Sequence, residues 1–248
     1  MNARSLFVTP LVLDTALLDE AQRRAMFALF ERYYDATNYP RFLADLTDKS
    51  HVLLLHDEVG AVCGFSTMAL YERDFRGTRV RVLFSGDTVV EERHWGQQAL
   101  AFAWLRFAGE LKAQQPDAPL YWFLISKGHR TYRYLAAFSR EFYPAPNRAT
   151  PRSTAELMAF LARERFGAAY DSAAGVLRFP ESLGHLRDTY AVVPDAHRRL
   201  PEVAFFLERN PGYAHGEELV CLCELAAENL QPIARRAFRA RTTVKATA

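Results

Sequence analysis

The chain is poor in cysteine and lysine and has no long apolar run. Its cysteines, Cys63, Cys221 and Cys223, are three in number, too few and too odd for a disulfide framework, which fits a reducing cytoplasm. A metal site would need more ligands at suitable spacing, and none are visible, so no metal cofactor is expected. No stretch approaches the roughly 20 apolar residues that cross a bilayer, so no membrane span is expected. The opening "MNARSLFVTPLVLDTALLDE" is apolar in part. It lacks a basic stretch followed by a long apolar core and a small-residue cleavage site, so it does not read as a signal peptide, and a cytoplasmic location follows as the expectation. The formal net charge is +2, too small to make nucleic acid the main partner. Only Lys49, Lys112, Lys127 and Lys245 are lysine; the other basic residues are arginine, a bias that reads as base composition. There is no internal repeat and no low-complexity segment.

What remains is a chain of 248 residues, 50% hydrophobic, long enough for one large domain or a domain with an extension. "SLFVTPLVL" reads as a strand. Three- and four-residue spacing of Leu18, Ala25, Met26, Leu29, Phe30 and Tyr33 predicts an amphipathic helix over about 15–34. "TNYPRFLADLTDKS" predicts a turn and a second short helix with Pro40 near its start. "DEVG" and "FRGT" punctuate an otherwise continuous strand signal, giving three antiparallel strands near 51–56, 60–73 and 78–90. A helix from about Gly96 to Gln114 follows, apolar on nearly every side, then the buried strand "LYWFLIS" and the helix "HRTYRYLAAFSREF".

Beyond residue 146 the signal changes. "TPRSTAELMAFLARERF" offers Ser153 and Glu156 as a capping box. "YDSAAGVLRFP" reads as a short hairpin, and the segment from His185 to Tyr213 as mixed and partly helical. "ELVCLCEL" reads as a strand with both thiols on one face, as buried small hydrophobes. "ARRAFRAR" reads as a solvated terminal helix, with phosphate contact as the alternative.

Up to residue 145 the order is strand, helix, helix, three antiparallel strands, helix, strand, helix. Between the last antiparallel strand and the next helix stands Arg93-His94-Trp95-Gly96-Gln97-Gln98. In this order and this hexapeptide the chain resembles the GNAT acyltransferase superfamily, whose pattern there is [Gln/Arg]-x-x-Gly-x-[Gly/Ala]. Arg93 and Gly96 fit; Gln98 stands where a small residue is expected, with Ala99 one place later. The resemblance covers roughly residues 5–145. It implies an α/β (α+β) fold with a mixed, mostly antiparallel central sheet flanked by helices. Residues 1–146 would be the acyl-CoA-binding domain. Residues 147–248 would be a C-terminal α/β extension that could complete the sheet and the acceptor pocket.

The resemblance further implies transfer of an acyl group from acetyl-CoA or a longer acyl-CoA to an amine of a small molecule. An acyl carrier protein is a further possible donor. Uncapped amides at a helix start, with the helix dipole, suit a pyrophosphate, and glycine permits close approach. Val89, Val90, Arg93, Gly96, Gln97, Gln98, Ala99 and Ser126 are the candidate cofactor-binding residues, Ser126 standing where the family often has asparagine. The same turn read without the family is a tight strand-to-helix corner.

Amine acylation needs a base for the ammonium and a proton donor for the leaving thiolate. "FSGDT" puts Ser85 and Asp87 on one strand face, with Gly86 as a possible bulge. Asp87 is the candidate base; a local cap or pair is its bland role. Glu91 and Glu92 read as solvated turn residues. Tyr134 is the candidate donor and Tyr132 the second choice; core packing is the commoner role of a tyrosine in a packed helix. His129 is a possible proton shuttle. Tyr33, Tyr34, Tyr39 and Phe42 read as packing or as a pocket wall. Two alternatives stay open: a long-chain donor, as in the N-acyl amino acid and acyl-homoserine-lactone synthases that look like this fold, and a GNAT-like binding module without catalysis.

Overall fold

Asp19 and Gln22 decide where the first long helix begins. The Gln22 amide donates to the Asp19 carboxylate at 2.7 Å, and the Asp19 amide donates to the Gln22 side chain at 3.0 Å, a reciprocal capping box. Helix α1 therefore runs Glu20–Phe30, while Thr15–Leu17 forms only a 3₁₀ turn. The computed structural model describes residues 8–240, so positions 5–7 of the expected first strand and the terminal Arg241 lie outside the described residues. Strand β1 (Thr9–Asp14) precedes α1, and the short β2 (Tyr34–Asp35) follows it. Asn38 caps α2 (Tyr39–Thr47) by accepting from the Arg41 amide at 2.9 Å, with Pro40 in the first turn, where a missing amide costs nothing.

β3 (His51–His56), β4 (Val62–Phe75) and β5 (Thr78–Val90) run antiparallel, as expected. The β4–β5 turn is two residues, Arg76 at φ 56° and Gly77 at φ 75°, the paired left-handed geometry that follows strand twist. Then come a 3₁₀ turn at Glu92–His94, α3 (Ala99–Gln114), β6 (Leu120–Ser126), α4 (His129–Phe138) and α5 (Arg152–Phe166). The remaining elements are β7 (Tyr170–Asp171), β8 (Val176–Leu177), β9 (His185–Leu186), α6 (Asp188–Ala191), α7 (Asp195–Arg198), α8 (Pro201–Arg209), β10 (Glu218–Glu224) and α9 (Pro232–Arg239).

Eight strands make one sheet in the order β1-β3-β4-β5-β6-β10-β8-β7, and only β5 and β6 are parallel neighbours. The mixed, mostly antiparallel sheet flanked by helices is the architecture the resemblance implied. Helices cover both faces. Leu53, Leu83 and Leu124 pack with α3, α4 and α9 on one side, and Val52, Leu54 and Phe65 pack with α1 and α2 on the other. The parallel pairing joins only Arg81–Ser85 to Leu120–Leu124. Past Ser85, β5 keeps β4 as its partner but has none on the β6 side, so a wedge opens between the two strands.

Four expectations are corrected. α3 begins at Ala99, not Gly96, because Gly96 (φ 90°) and Gln98 (φ 54°) take left-handed conformations that a right-handed helix excludes. The Ser153–Glu156 capping box does not form. Pro151 is the N-cap residue, Ser153 already lies within α5, and Glu156 pairs with Arg152 and Arg76 instead. Ser85 and Asp87 do not share a face. Ser66 pairs with Thr88 and Met68 with Ser85, so Thr67 faces both Gly86 and Asp87 in a bulge. One extra residue reverses the alternation: Ser85 accepts from the Trp122 indole at 2.9 Å in the α3-side core, and Asp87 turns to the opposite face with Phe84.

The fourth correction concerns the terminal helix, which is packed rather than merely solvated. Ala234 and Phe238 of α9 are buried against α3, and a Cβ added at Gly109 would lie 1.7 Å from the Phe238 carbonyl oxygen. Backbone cannot yield as a side-chain tip can, so Gly109→Ala is expected to destabilise the protein by roughly 3 kcal/mol or more. Chemical denaturation checks this, and an unchanged midpoint would show that α9 is dispensable. The two thiols of "CLC" do share one buried face. Cys223 meets the Ser139 hydroxyl at 2.9 Å, and burial raises both thiol pKa values.

Candidate functional site

The wedge past Ser85 has a cavity on each side. The larger, about 860 Å³, lies between the start of α3 and the start of α4. Val89, Val90, Gly96, Gln97, Gln98 and Ala99 line it, as do Gly128, Arg130, Arg133 and Tyr134. Both helices begin here without a side-chain cap, Gln98 and Gly128 being the N-cap residues. Their first amides therefore have no intrahelical acceptor, and each helix brings partial positive charge. Nothing lies within 4 Å of a Cβ placed on Gly96, so main chain faces open space there.

Three candidate residues stand elsewhere. Arg93 is exposed and committed to Asp57 (2.9 Å) and Glu91 (2.7 Å), so its charge is matched and it does not line the cavity. Arg130 is the arginine that stands beside Trp95 instead. It lines the cavity with its guanidinium 4.6 Å over the Trp95 ring, which is itself fixed by an indole bond to the Val90 carbonyl. Ser126 is fully buried and donates to the Gly128 carbonyl at 3.0 Å, which makes it part of the corner between β6 and α4. Tyr132 is in the core, its ring among Phe142, Phe205 and Phe206 and its hydroxyl donating to the Pro144 carbonyl at 2.8 Å. Tyr134, one half-turn on, faces the cavity, and burial raises its pKa.

The smaller cavity, about 190 Å³, lies on the α1–α2 side of the sheet. Asp87 lines it, with Lys49, Lys127, Glu218 and Phe42. Burial first, then the nearby Asp45 charge, pushes the Asp87 carboxyl up to about 6, against the pull of Lys127 and Lys49. Burial alone would lower the Lys127 ammonium, but Glu218 at 3.4 Å and Asp87 hold it above its ordinary value. Lys49 is buried and reaches Asp45 at 2.7 Å. Gly86 makes room for it: a Cβ there would lie 2.5 Å from Lys49 Cε and from Thr67 Oγ1. The two cavities share Tyr34, Thr88 and Thr131, which stand at the wedge itself.

The other aromatics divide. Tyr33 holds the Glu92 amide with its hydroxyl at 2.8 Å, and Tyr39 bonds Glu20 away from both cavities. His129 lines the larger cavity beside His197 at 3.3 Å. Burial and then Arg130 lower its pKa to about 4, so it is neutral at ordinary pH. Among the described residues no cluster has the makings of a metal site, and no helix is long and apolar enough to cross a membrane.

No protein-family model matches the chain, and no curated protein does. Among solved structures it is similar to YhbS, a GNAT family N-acetyltransferase from Escherichia coli in complex with CoA. The identity is 16% over 56% of this chain and 72% of that one, with a TM-score of 0.40. It is also similar to a conserved protein of unknown function from Enterococcus faecalis V583, a probable N-acyltransferase. There the identity is 14% over 64% of this chain, the match spans only 44% of that one, and the TM-score is 0.40. A third is the glucosamine-6-phosphate N-acetyltransferase of Arabidopsis thaliana, at 13% identity over 48% of this chain and 81% of that one, with a TM-score of 0.35.

Proposed function

We propose that this GNAT-like fold is an acyltransferase that moves an acyl group from a CoA thioester to the amine of a small molecule. The observation that carries this is the pair of cavities meeting at Tyr34, Thr88 and Thr131 where β5 and β6 part. One is large, edged by two uncapped helix starts and Arg130, as a pyrophosphate and pantetheine arm require. The other is small and holds a carboxylate with a pKa near neutrality. A thioester carbonyl at the wedge would be reached from both sides.

The steps then follow. Asp87 takes one proton from the ammonium. The neutral nitrogen attacks the thioester carbon, the C–N bond forms, and the nitrogen loses its second proton to solvent as the C–S bond breaks. Tyr134 supplies the proton that the departing sulfur needs and regains one from solvent, and Asp87 returns its proton to solvent. The products are an amide and the free thiol, with one net proton released. The residues from 147 onward contribute Arg165, Phe179 and Glu218 to the acceptor side, and in this reading they complete the acceptor pocket.

A longer acyl chain is the second reading, favoured by the apolar residues Leu55, Leu100, Ala101, Ala137 and Phe138 in the lining of the large cavity. Thermal shift against CoA, acetyl-CoA and a long-chain acyl-CoA tests both. A ligand at about 100 times its Kd stabilises by roughly 2.7 kcal/mol, so the melting temperature is expected to rise by several degrees. A larger rise with the long-chain donor selects the second reading. No rise with any of the three would remove CoA from the proposal, and a carrier-protein donor would be the next probe. Binding without thiol release from any amine would leave a binding module.

A further inference from the structure

The wall of the smaller cavity is balanced in charge. Arg41, Lys49, Lys127 and Arg165 face Asp45, Asp48, Asp87 and Glu218 across it. Three pairs are already closed: Lys49 with Asp45 at 2.7 Å, Lys127 with Glu218 at 3.4 Å, and Arg165 with Asp48. Among the described residues, Asp87 and Arg41 have no ion-pair partner, which leaves one charge of each sign open to the cavity.

Arg41 is held in a way that leaves its recognition edge unused. Its Nη1 donates to the Ala36 carbonyl at 3.1 Å and the Ser182 carbonyl at 3.0 Å. Nη1 has two N–H groups, so both are spent, and Nε with Nη2 keeps three. That edge is the one that grips a carboxylate through two parallel bonds. The two carbonyls come from segments far apart in the sequence and fix the guanidinium plane before any ligand arrives.

Resting on the acyl-transfer reading, we propose that the acceptor is an amino acid-type zwitterion, its ammonium on Asp87 and its carboxylate on the Nε–Nη2 edge of Arg41. A plain cationic amine would satisfy Asp87 but leave Arg41 uncompensated in a partly buried wall. A zwitterion closes both and adds no net charge. A cavity of about 190 Å³ is of a size for a small molecule rather than a folded chain.

The test is thiol release from whichever acyl-CoA gives the largest thermal shift, with the standard amino acids as acceptors. Each active amino acid is then compared with its amide and its decarboxylated amine. Free amino acids are expected to exceed both analogues by about 10²-fold in kcat/KM. Arg41→Gln should lower kcat/KM far more for the free amino acids than for their amides and amines, so that the preference is lost, and Arg41→Lys should restore part of it. Amides or amines reacting as well as amino acids would overturn the zwitterion assignment and leave acyl transfer standing. So would an Arg41→Gln loss equal for all acceptors, which marks a structural role. A CoA shift with no thiol release from any amine would instead overturn the acyl-transfer reading, and the assignment with it.

Discussion

Asp87→Asn is expected to slow acyl transfer at pH 7 by roughly 10²–10³-fold, the usual worth of a positioned base, while making the protein more stable. Both effects have one cause. The site disfavours the charged carboxylate, which is why its pKa stands at about 6 against an ordinary 3.8. A base near neutrality is mostly ionised at pH 7 and still able to hold a proton. The linkage sign follows from the raised value. The folded state binds the extra proton between about pH 4 and 6, so stability falls as pH rises through that window and stays low above it. The cost at pH 7 is of the order of 3 kcal/mol, and asparagine removes it. The variant's melting temperature should therefore exceed the wild type's at pH 7 and match it near pH 3.

The pH–rate profile gives the complementary readout. In the wild type kcat/KM should climb through pH 6 as Asp87 ionises. In the variant that limb should vanish and activity should return only at high pH, where the amine loses its proton unaided. A variant as active as wild type at pH 6.5 would exclude Asp87 as the base.

Much of the fold was legible because local signals agreed. "FRGT" predicts a hairpin turn and the backbone takes it, and the alternation in "ELVCLCEL" predicts two buried thiols on one face. The failures occur where one residue shifts a pattern. The glycine of "FSGDT" signals the bulge and the structure has it, but strict alternation put Ser85 and Asp87 on one face, and the bulge decides which cavity Asp87 faces. Arg93 matched a motif by type, but its neutralisation by Asp57 and Glu91 joins residues distant in sequence.

The cations of the small cavity were hidden for a similar reason. Lys49 and Lys127 come from α2's far end and the corner after β6, and Glu218 from a strand near the end of the chain. One signal was available. Two of only four lysines in an arginine-rich chain meet at one cavity. An ammonium is a compact donor that fits beside a glycine where a guanidinium would not, as Gly86 beside Lys49 illustrates.

Tyr134→Phe and Tyr132→Phe are expected to fail in opposite ways, and the contrast identifies the proton donor. Tyr134 faces the larger cavity, and burial keeps its phenol neutral, so it has a proton to give when the thiolate departs. Removing its hydroxyl keeps the ring beside Phe138 at 5.4 Å, so stability should barely move while kcat falls by roughly 10²-fold. The loss should shrink with an acyl donor whose leaving thiol is more acidic, because a better leaving group needs less protonation. Tyr132 should behave inversely. Its hydroxyl satisfies the Pro144 carbonyl inside the core, so phenylalanine there should cost roughly 1–2 kcal/mol of stability and little rate. Full activity in Tyr134→Phe would exclude it as donor. Tyr34 is then the group to remove, because it stands in both cavities, where the sulfur and the nitrogen would meet, and burial keeps its phenol protonated as well. Loss of rate in Tyr34→Phe alone would move the donor across the wedge to the α1 side. It would leave α4 to hold the cofactor through its uncapped start and Arg130.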